Sequence, residues 1–102
     1  PGQRASAEVD EHGRRAVIED LRRICALAAP AGVTVTTEFH ANTLTDTNDS
    51  ARRLLAEVDH PDLRTGWQPH NGAATADCVA GLRAVLPRVS TIHVFHWWPT
   101  NA

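Results

Sequence analysis

The feature that most constrains the fold is a regular alternation of helical and extended patterns along the 102-residue chain. Apolar residues recur at helical spacing on one face of three segments, residues 14–29, 47–58 and 75–86. Three runs rich in β-branched residues predict strands at residues 33–39, 63–69 and 89–96. Strands that alternate with helices of this length are typical of a parallel sheet with crossover connections, so the predicted fold class is α/β.

The length of the repeat predicts which α/β fold is present. One helix and one strand together take about 25–30 residues, which suits a (β/α)8 barrel of ~250 residues. We therefore predict a partial (β/α)8 TIM barrel with three parallel strands and three helices. In domain terms, residues 1–102 are expected to be a single fragment, with a loop at 1–12, helix–strand repeats at 13–98 and a truncated end at 99–102.

Polar residues cluster near the carboxyl ends of the predicted strands. Glu38, Gln68 and His93 each fall on the more polar face of a strand, close to its end. In parallel α/β folds these ends form the edge where active sites are built. A carboxylate, an amide oxygen and an imidazole are suitable ligands for a divalent metal. The spacing of the three residues permits them to converge but does not require it.

Charge and composition exclude several kinds of partner. The formal net charge is −2, and arginine pairs such as Arg14-Arg15 lie beside acidic residues, which predicts solvated helix faces. Duplex nucleic acid would call for a basic stripe, so a nucleic-acid partner is not expected. No apolar run reaches the ~20 residues of a membrane span, and we expect no signal peptide. Cys25 and Cys78 lie in apolar helical patterns, which predicts reduced thiols in a cytoplasmic protein.

Three stretches of the sequence carry a family resemblance: GVTVTTEFHANTLTDTNDSARRLL, WQPHNG and STIHVFHWW. In this order they resemble the xylose isomerase-like TIM barrels, the sugar phosphate isomerase/epimerase group. The resemblance covers about Gly13 to Trp98 and corresponds to the fourth helix through the seventh strand of such a barrel. It implies that Glu38 binds the metal and acts as an acid/base, and that His93 is a metal ligand. Gln68 stands where the family usually has an aspartate or histidine ligand, so the resemblance implies weakened metal binding.

The resemblance also implies residues that contact substrate. His70 lies near a family histidine that contacts substrate, although its offset from Gln68 is one residue shorter than usual. His96 takes the place of a common acidic residue, and Trp97 is a candidate platform on which a sugar stacks. The family's eighth-strand glutamate, the second acid/base and metal ligand, would lie beyond Ala102.

The resemblance implies that the chain is a fragment of a divalent-metal-dependent sugar or sugar phosphate isomerase/epimerase. The fragment by itself is expected to be inactive. Mn²⁺, Mg²⁺, Co²⁺ or Zn²⁺ would hold adjacent oxygens of a small sugar or polyol and stabilise an enediolate. Glu38 and the missing glutamate would transfer the proton. Two alternatives remain open. One is a metal-dependent DNA-repair endonuclease of the same superfamily, and the other is a non-catalytic barrel fragment that forms a homo-oligomer through its exposed sheet edges.

Overall fold

The computed structural model describes residues 1–70 and 72–94. In chain order, its main elements are helix α1 (Glu11–Ala28), strand β1 (Val35–Thr37), helix α2 (Asn48–Val58), strand β2 (Leu63–Trp67), helix α3 (Thr75–Val85) and strand β3 (Val89–Ile92). The predicted alternation of helices and strands is therefore confirmed. All three strands are shorter than predicted, and α1 begins three residues earlier than the predicted start at residue 14. None of the helices in the described segments is long and apolar enough to cross a membrane.

The three strands form one parallel sheet in the order β1-β2-β3. Val35 pairs with Leu63 at the start of β1, and Thr65 pairs with Val89 at the start of β3. The register then shifts, because Gly66 pairs with Thr91 and Ser90 is left as an extra residue in β3. The parallel pairing agrees with the predicted fold class.

All three helices contribute to a single core on one side of the sheet. Along β2, Leu63, Thr65 and Trp67 are buried while the residues between them are partly exposed, which is the alternation expected of a strand with one covered face. Their apolar partners on the helices are Ile18, Leu21, Cys25, Ala51, Leu54, Leu55, Val58 and Val85. The opposite face carries Arg64 and Gly66 on β2, and the hydroxyl oxygens of Thr36 and Ser90 lie 3.2 Å apart across this strand.

Side-chain and glycine caps define the helix ends. The carboxylate of Asp10 accepts a hydrogen bond from the amide of Gly13 at 2.8 Å, so α1 begins at the next residue after Asp10. The hydroxyl of Thr47 accepts one from the amide of Ser50 at 3.1 Å at the start of α2. After α1 and its short 3-10 turn, Gly32 adopts a φ of 70°, a left-handed conformation that favours glycine.

A buried arginine joins α1 to α2. Arg14 is only 5% exposed, and its guanidinium donates to the hydroxyl and the main-chain oxygen of Ser50, both at 3.2 Å. It also contacts Glu57 at 3.4 Å, and Glu57 in turn pairs with Arg53. The prediction of a solvated Arg14 is therefore wrong, because its charge is matched by a carboxylate and two oxygens between the helices. Arg15 is exposed, as predicted.

Close packing joins α3 to the start of α2. The indole of Trp67 donates to the side-chain oxygen of Asn48 at 3.1 Å. Gly81 is buried on α3, and a Cβ atom added there would overlap the amide of Asn48. The glycine thus allows α3 to approach α2 without displacing the hydrogen bond to Trp67.

Candidate functional site

The three predicted metal ligands lie at one edge of the sheet. Glu38 follows β1 directly, Gln68 follows β2, and His93 follows β3. Since the strands are parallel neighbours, all three residues leave the sheet at its carboxyl edge. The side chains of Glu38 and His93 are exposed and that of Gln68 is partly exposed.

Gln68 and His93 are in direct contact. The Oε1 atom of Gln68 lies 3.1 Å from the Nδ1 atom of His93. The amide of His93 donates to the main-chain oxygen of Trp67 at 2.9 Å, which continues the β2–β3 pairing past the end of β3. Backbone pairing therefore holds the imidazole beside the amide of the neighbouring strand.

Glu38 lies on the other side of Gln68, at the end of β1. Its backbone is held by the loop after β1, because the hydroxyl of Thr45 donates to the main-chain oxygen of Glu38 at 2.6 Å. Within residues 1–70 and 72–94, no three His, Cys, Asp or Glu side chains are grouped so as to hold a metal ion. In the described chain the candidate site therefore offers one carboxylate, one imidazole and a neutral amide.

His70 packs beside the strand edge. Its ring lies 5.8 Å from that of Phe39, measured between centroids, with the two planes inclined by 30°. The Nε2 atom of His70 is buried and has no hydrogen-bond partner among the described residues. The other two predicted substrate contacts, His96 and Trp97, lie outside the described residues.

The loop after β1 has a role that the sequence pattern does not predict. The Thr/Asp/Asn cluster TDTND (residues 45–49) predicts a helix cap, and Thr47 provides it at α2. Thr43 and Thr45 instead form hydrogen bonds to the backbone of His40 and Glu38. The sequence does carry a signal for this role, which is the run of threonines at alternate positions before the helix. The hydrogen-bond partners of these threonines, however, depend on how the loop folds back.

Comparison with known proteins agrees with this architecture. A 3-dehydroshikimate dehydratase of Bacillus anthracis is 37% identical to the chain over 93 residues, which cover 90% of the chain and 33% of that protein. The crystal structure of the probable 3-DHS dehydratase AsbF involved in petrobactin synthesis, also from Bacillus anthracis, aligns with a TM-score of 0.82 and 36% identity. This alignment covers 90% of the chain and 34% of the solved structure.

The chain thus spans about a third of the length of these two relatives. A family model described as xylose isomerase-like TIM barrel matches residues 1–99, which confirms the resemblance found in the three sequence stretches. Together with the parallel strands and the helices on one side of the sheet, this match establishes the family. The chain belongs to the xylose isomerase-like TIM barrel family.

Proposed function

We propose that the full-length protein containing this chain is a dehydratase that acts on 3-dehydroshikimate or a closely related cyclic keto acid. The similarity to a 3-dehydroshikimate dehydratase over 90% of the chain is the observation that carries this proposal. The adjacent strand ends that present Glu38, Gln68 and His93 are consistent with it. A dehydration of this kind begins with removal of a proton from a carbon beside a carbonyl, the same step that the sequence predicted for a sugar isomerase.

One pair of donor atoms at the strand edge supports a divalent-metal site. Two ligands of one ion, bonded at about 2.1 Å and at right angles, lie about 3 Å apart. The atoms Gln68 Oε1 and His93 Nδ1 are separated by 3.1 Å. We propose that Glu38, Gln68 and His93 would hold Mn²⁺, Mg²⁺, Co²⁺ or Zn²⁺. The ion, when bound, would supply Lewis-acid polarisation of the substrate carbonyl.

Glu38 is the proposed base. Its carboxylate is exposed at the strand end, where a small substrate can approach it, and it removes the proton from the carbon beside the carbonyl. The electrons of the broken C–H bond form a C=C bond, and the C–O bond to the adjacent hydroxyl-bearing carbon breaks. The hydroxyl leaves as water with the proton that Glu38 has taken, which returns Glu38 to the carboxylate, so atoms and charge balance. His70, His96 and Trp97 are the proposed substrate contacts.

A sugar isomerase/epimerase is the second candidate function, and the family match favours it. The two reactions share the proton removal by Glu38 and differ in the next step. In isomerisation the proton returns to a neighbouring carbon, whereas in dehydration a hydroxyl is expelled. The product therefore distinguishes the two functions.

The full-length protein, supplied with Mn²⁺, should be incubated with 3-dehydroshikimate and separately with a panel of small keto sugars. Loss of water from the cyclic keto acid, followed by tautomerisation, gives an aromatic ring, so turnover appears as new ultraviolet absorption. Proton exchange or epimerisation of the sugars can be monitored by NMR in D₂O. Aromatic product supports the dehydratase, sugar turnover alone supports the isomerase, and cleavage of abasic DNA in a parallel assay would contradict both.

A further inference from the structure

The loop after β1 closes on a buried threonine. Thr45 is fully buried, and its hydroxyl donates to the main-chain oxygen of Glu38 at 2.6 Å. The main-chain oxygen of Thr45 accepts from the amide of His40 at 3.3 Å. These two bonds hold the backbone on both sides of Phe39, which is itself buried. One residue therefore fixes the chain directly where Glu38 leaves the sheet.

Neighbouring residues hold Thr45 in place. The hydroxyl of Thr43 donates to the main-chain oxygen of His40 at 2.7 Å, and it accepts from the amide of Thr45 at 3.1 Å. Leu44 is fully buried, and its amide donates to the main-chain oxygen of Pro1 at 2.9 Å. The loop is therefore tied to the protein beside Thr45, so its hydroxyl cannot leave Glu38 without disturbing the core.

We propose that Thr45 is a positioning residue that sets the location of the Glu38 carboxylate; this role rests on the proposed function of Glu38 as the base. A proton-transfer group must come within about 2.6–3.2 Å of the atom it serves. A displacement of about 1 Å can lower the rate about 100-fold. Thr45 contacts the backbone of Glu38 and not the substrate, so its removal should change the rate of the chemical step more than substrate binding.

The experiment compares three variants of the full-length protein. Thr45→Val keeps the shape of the side chain and removes the hydroxyl, whereas Thr45→Ser keeps the hydroxyl. Cys25→Ala is the control for lost packing, because Cys25 is fully buried on α1 and belongs to the shared core. Dehydration of 3-dehydroshikimate gives kcat and KM, and NMR-detected hydrogen exchange reports on the amide of His40.

Thr45→Val should lower kcat at least tenfold while KM changes less than threefold, and it should speed exchange of the His40 amide. Thr45→Ser should keep kcat within about threefold of wild type. A kcat for Thr45→Val equal to that of Cys25→Ala, or equal losses in the serine and valine variants, would overturn the positioning role. If Thr45→Val does not fold, Thr45→Ala replaces it with the same criteria.

The proposed function can be wrong independently of the positioning role of Thr45. If the wild-type protein does not dehydrate 3-dehydroshikimate, that function is wrong, and His40 exchange then decides the role of Thr45. If the His40 amide exchanges faster in Thr45→Val but not in Thr45→Ser, the result supports the role of the Thr45 hydroxyl in holding the end of β1. Unchanged exchange in both variants overturns it.

Discussion

The Oε1 atom of Gln68 lies 3.1 Å from the Nδ1 atom of His93, across the pairing of two neighbouring strands. Such a distance fits both a hydrogen bond and two adjacent ligands of one ion. In either case an amide oxygen is a weaker electrostatic partner than a carboxylate, because it carries no net charge. Residue 68 is therefore the position at which metal affinity should be easiest to improve.

Gln68→Asp should tighten binding of Mn²⁺ to the full-length protein by at least about tenfold, or ~1.4 kcal/mol, because it adds a negative charge at the ligand position. Isothermal titration calorimetry measures the affinity. Gln3→Asp is the matched control, since it adds the same charge at an exposed residue near the start of the chain. Equal affinities in the two variants would show that residue 68 is not a ligand.

Glu38→Gln should lower kcat by about 10² to 10⁴, because the amide cannot accept the proton. The exposed side chain contributes little to the fold, so the free energy of unfolding should change by less than about 0.5 kcal/mol. Steady-state kinetics and urea denaturation check the two statements. Glu19→Gln, at an exposed position on α1, should leave both quantities unchanged. Full activity in Glu38→Gln would assign the base to another residue.

Periodicity predicted most of the fold and the edge of the sheet at which the candidate residues lie. The alternation of polar and apolar residues within each strand was enough to place Glu38, Gln68 and His93 at one edge of the sheet. The strands are expected to be parallel because a helix lies between each pair of them. The burial of Arg14 was missed because the arginine pair was interpreted by charge alone, although Arg14 falls on the same helix face as Ile18, Leu21 and Cys25. Arg15 lies on the exposed side of α1, whereas the buried face brings Arg14 to Ser50 and Glu57 on α2.

Two further features of the fold depend on the path of the chain. The extra residue in β3 at Ser90 changes the register, but nothing in the sequence VSTI marks it. The hydroxyl of Thr45 finds its partner seven positions earlier, after a loop has turned back. Hydrogen bonds of this kind follow from the loop conformation, which local propensity does not determine.

Arg14→Lys should destabilise the protein by about 1–3 kcal/mol, because a lysine cannot reproduce the forked hydrogen bonds to Ser50 and leaves buried oxygens without donors. Chemical denaturation measures the loss. Arg15→Lys, one position along and exposed, should cost less than about 0.5 kcal/mol. Similar losses for the two variants would mean that the buried contacts of Arg14 contribute little.

Gly81→Ala should cost about 1–3 kcal/mol despite the better helix propensity of alanine, because the new Cβ atom meets the side chain of Asn48. The double variant with Asn48→Ala tests the mechanism. In that background the cost of Gly81→Ala should fall, since the space is free, and thermal denaturation of the four proteins gives the interaction energy. If the effects of the two substitutions on stability are additive, the loss of stability in Gly81→Ala does not come from contact with Asn48.

The two cysteines should differ in reactivity. Burial raises the pKa of the Cys25 thiol, and the charge of Asp62 raises it further. In native protein at pH 8, a thiol reagent should therefore modify the partly buried Cys78 much faster than Cys25, as measured by mass spectrometry. Equal rates would mean that the core around Cys25 opens readily.

The same raised pKa of Cys25 predicts a pH dependence of stability. The folded protein keeps the thiol neutral, so this contribution is present below the ordinary thiol pKa, about 8.5, and is lost as the pH rises above it. Cys25→Ala should therefore flatten the decline in unfolding free energy at alkaline pH. An identical decline in wild type and variant would contradict this assignment.

The hydroxyls of Thr36 and Ser90 meet at 3.2 Å although a whole strand separates them. In a flat sheet the backbones of β1 and β3 would lie about 10 Å apart, farther than two short side chains can bridge. The sheet must therefore be concave toward its helix-free face, which is the interior of a barrel. Curvature of the sense that a barrel requires is thus already present over three strands.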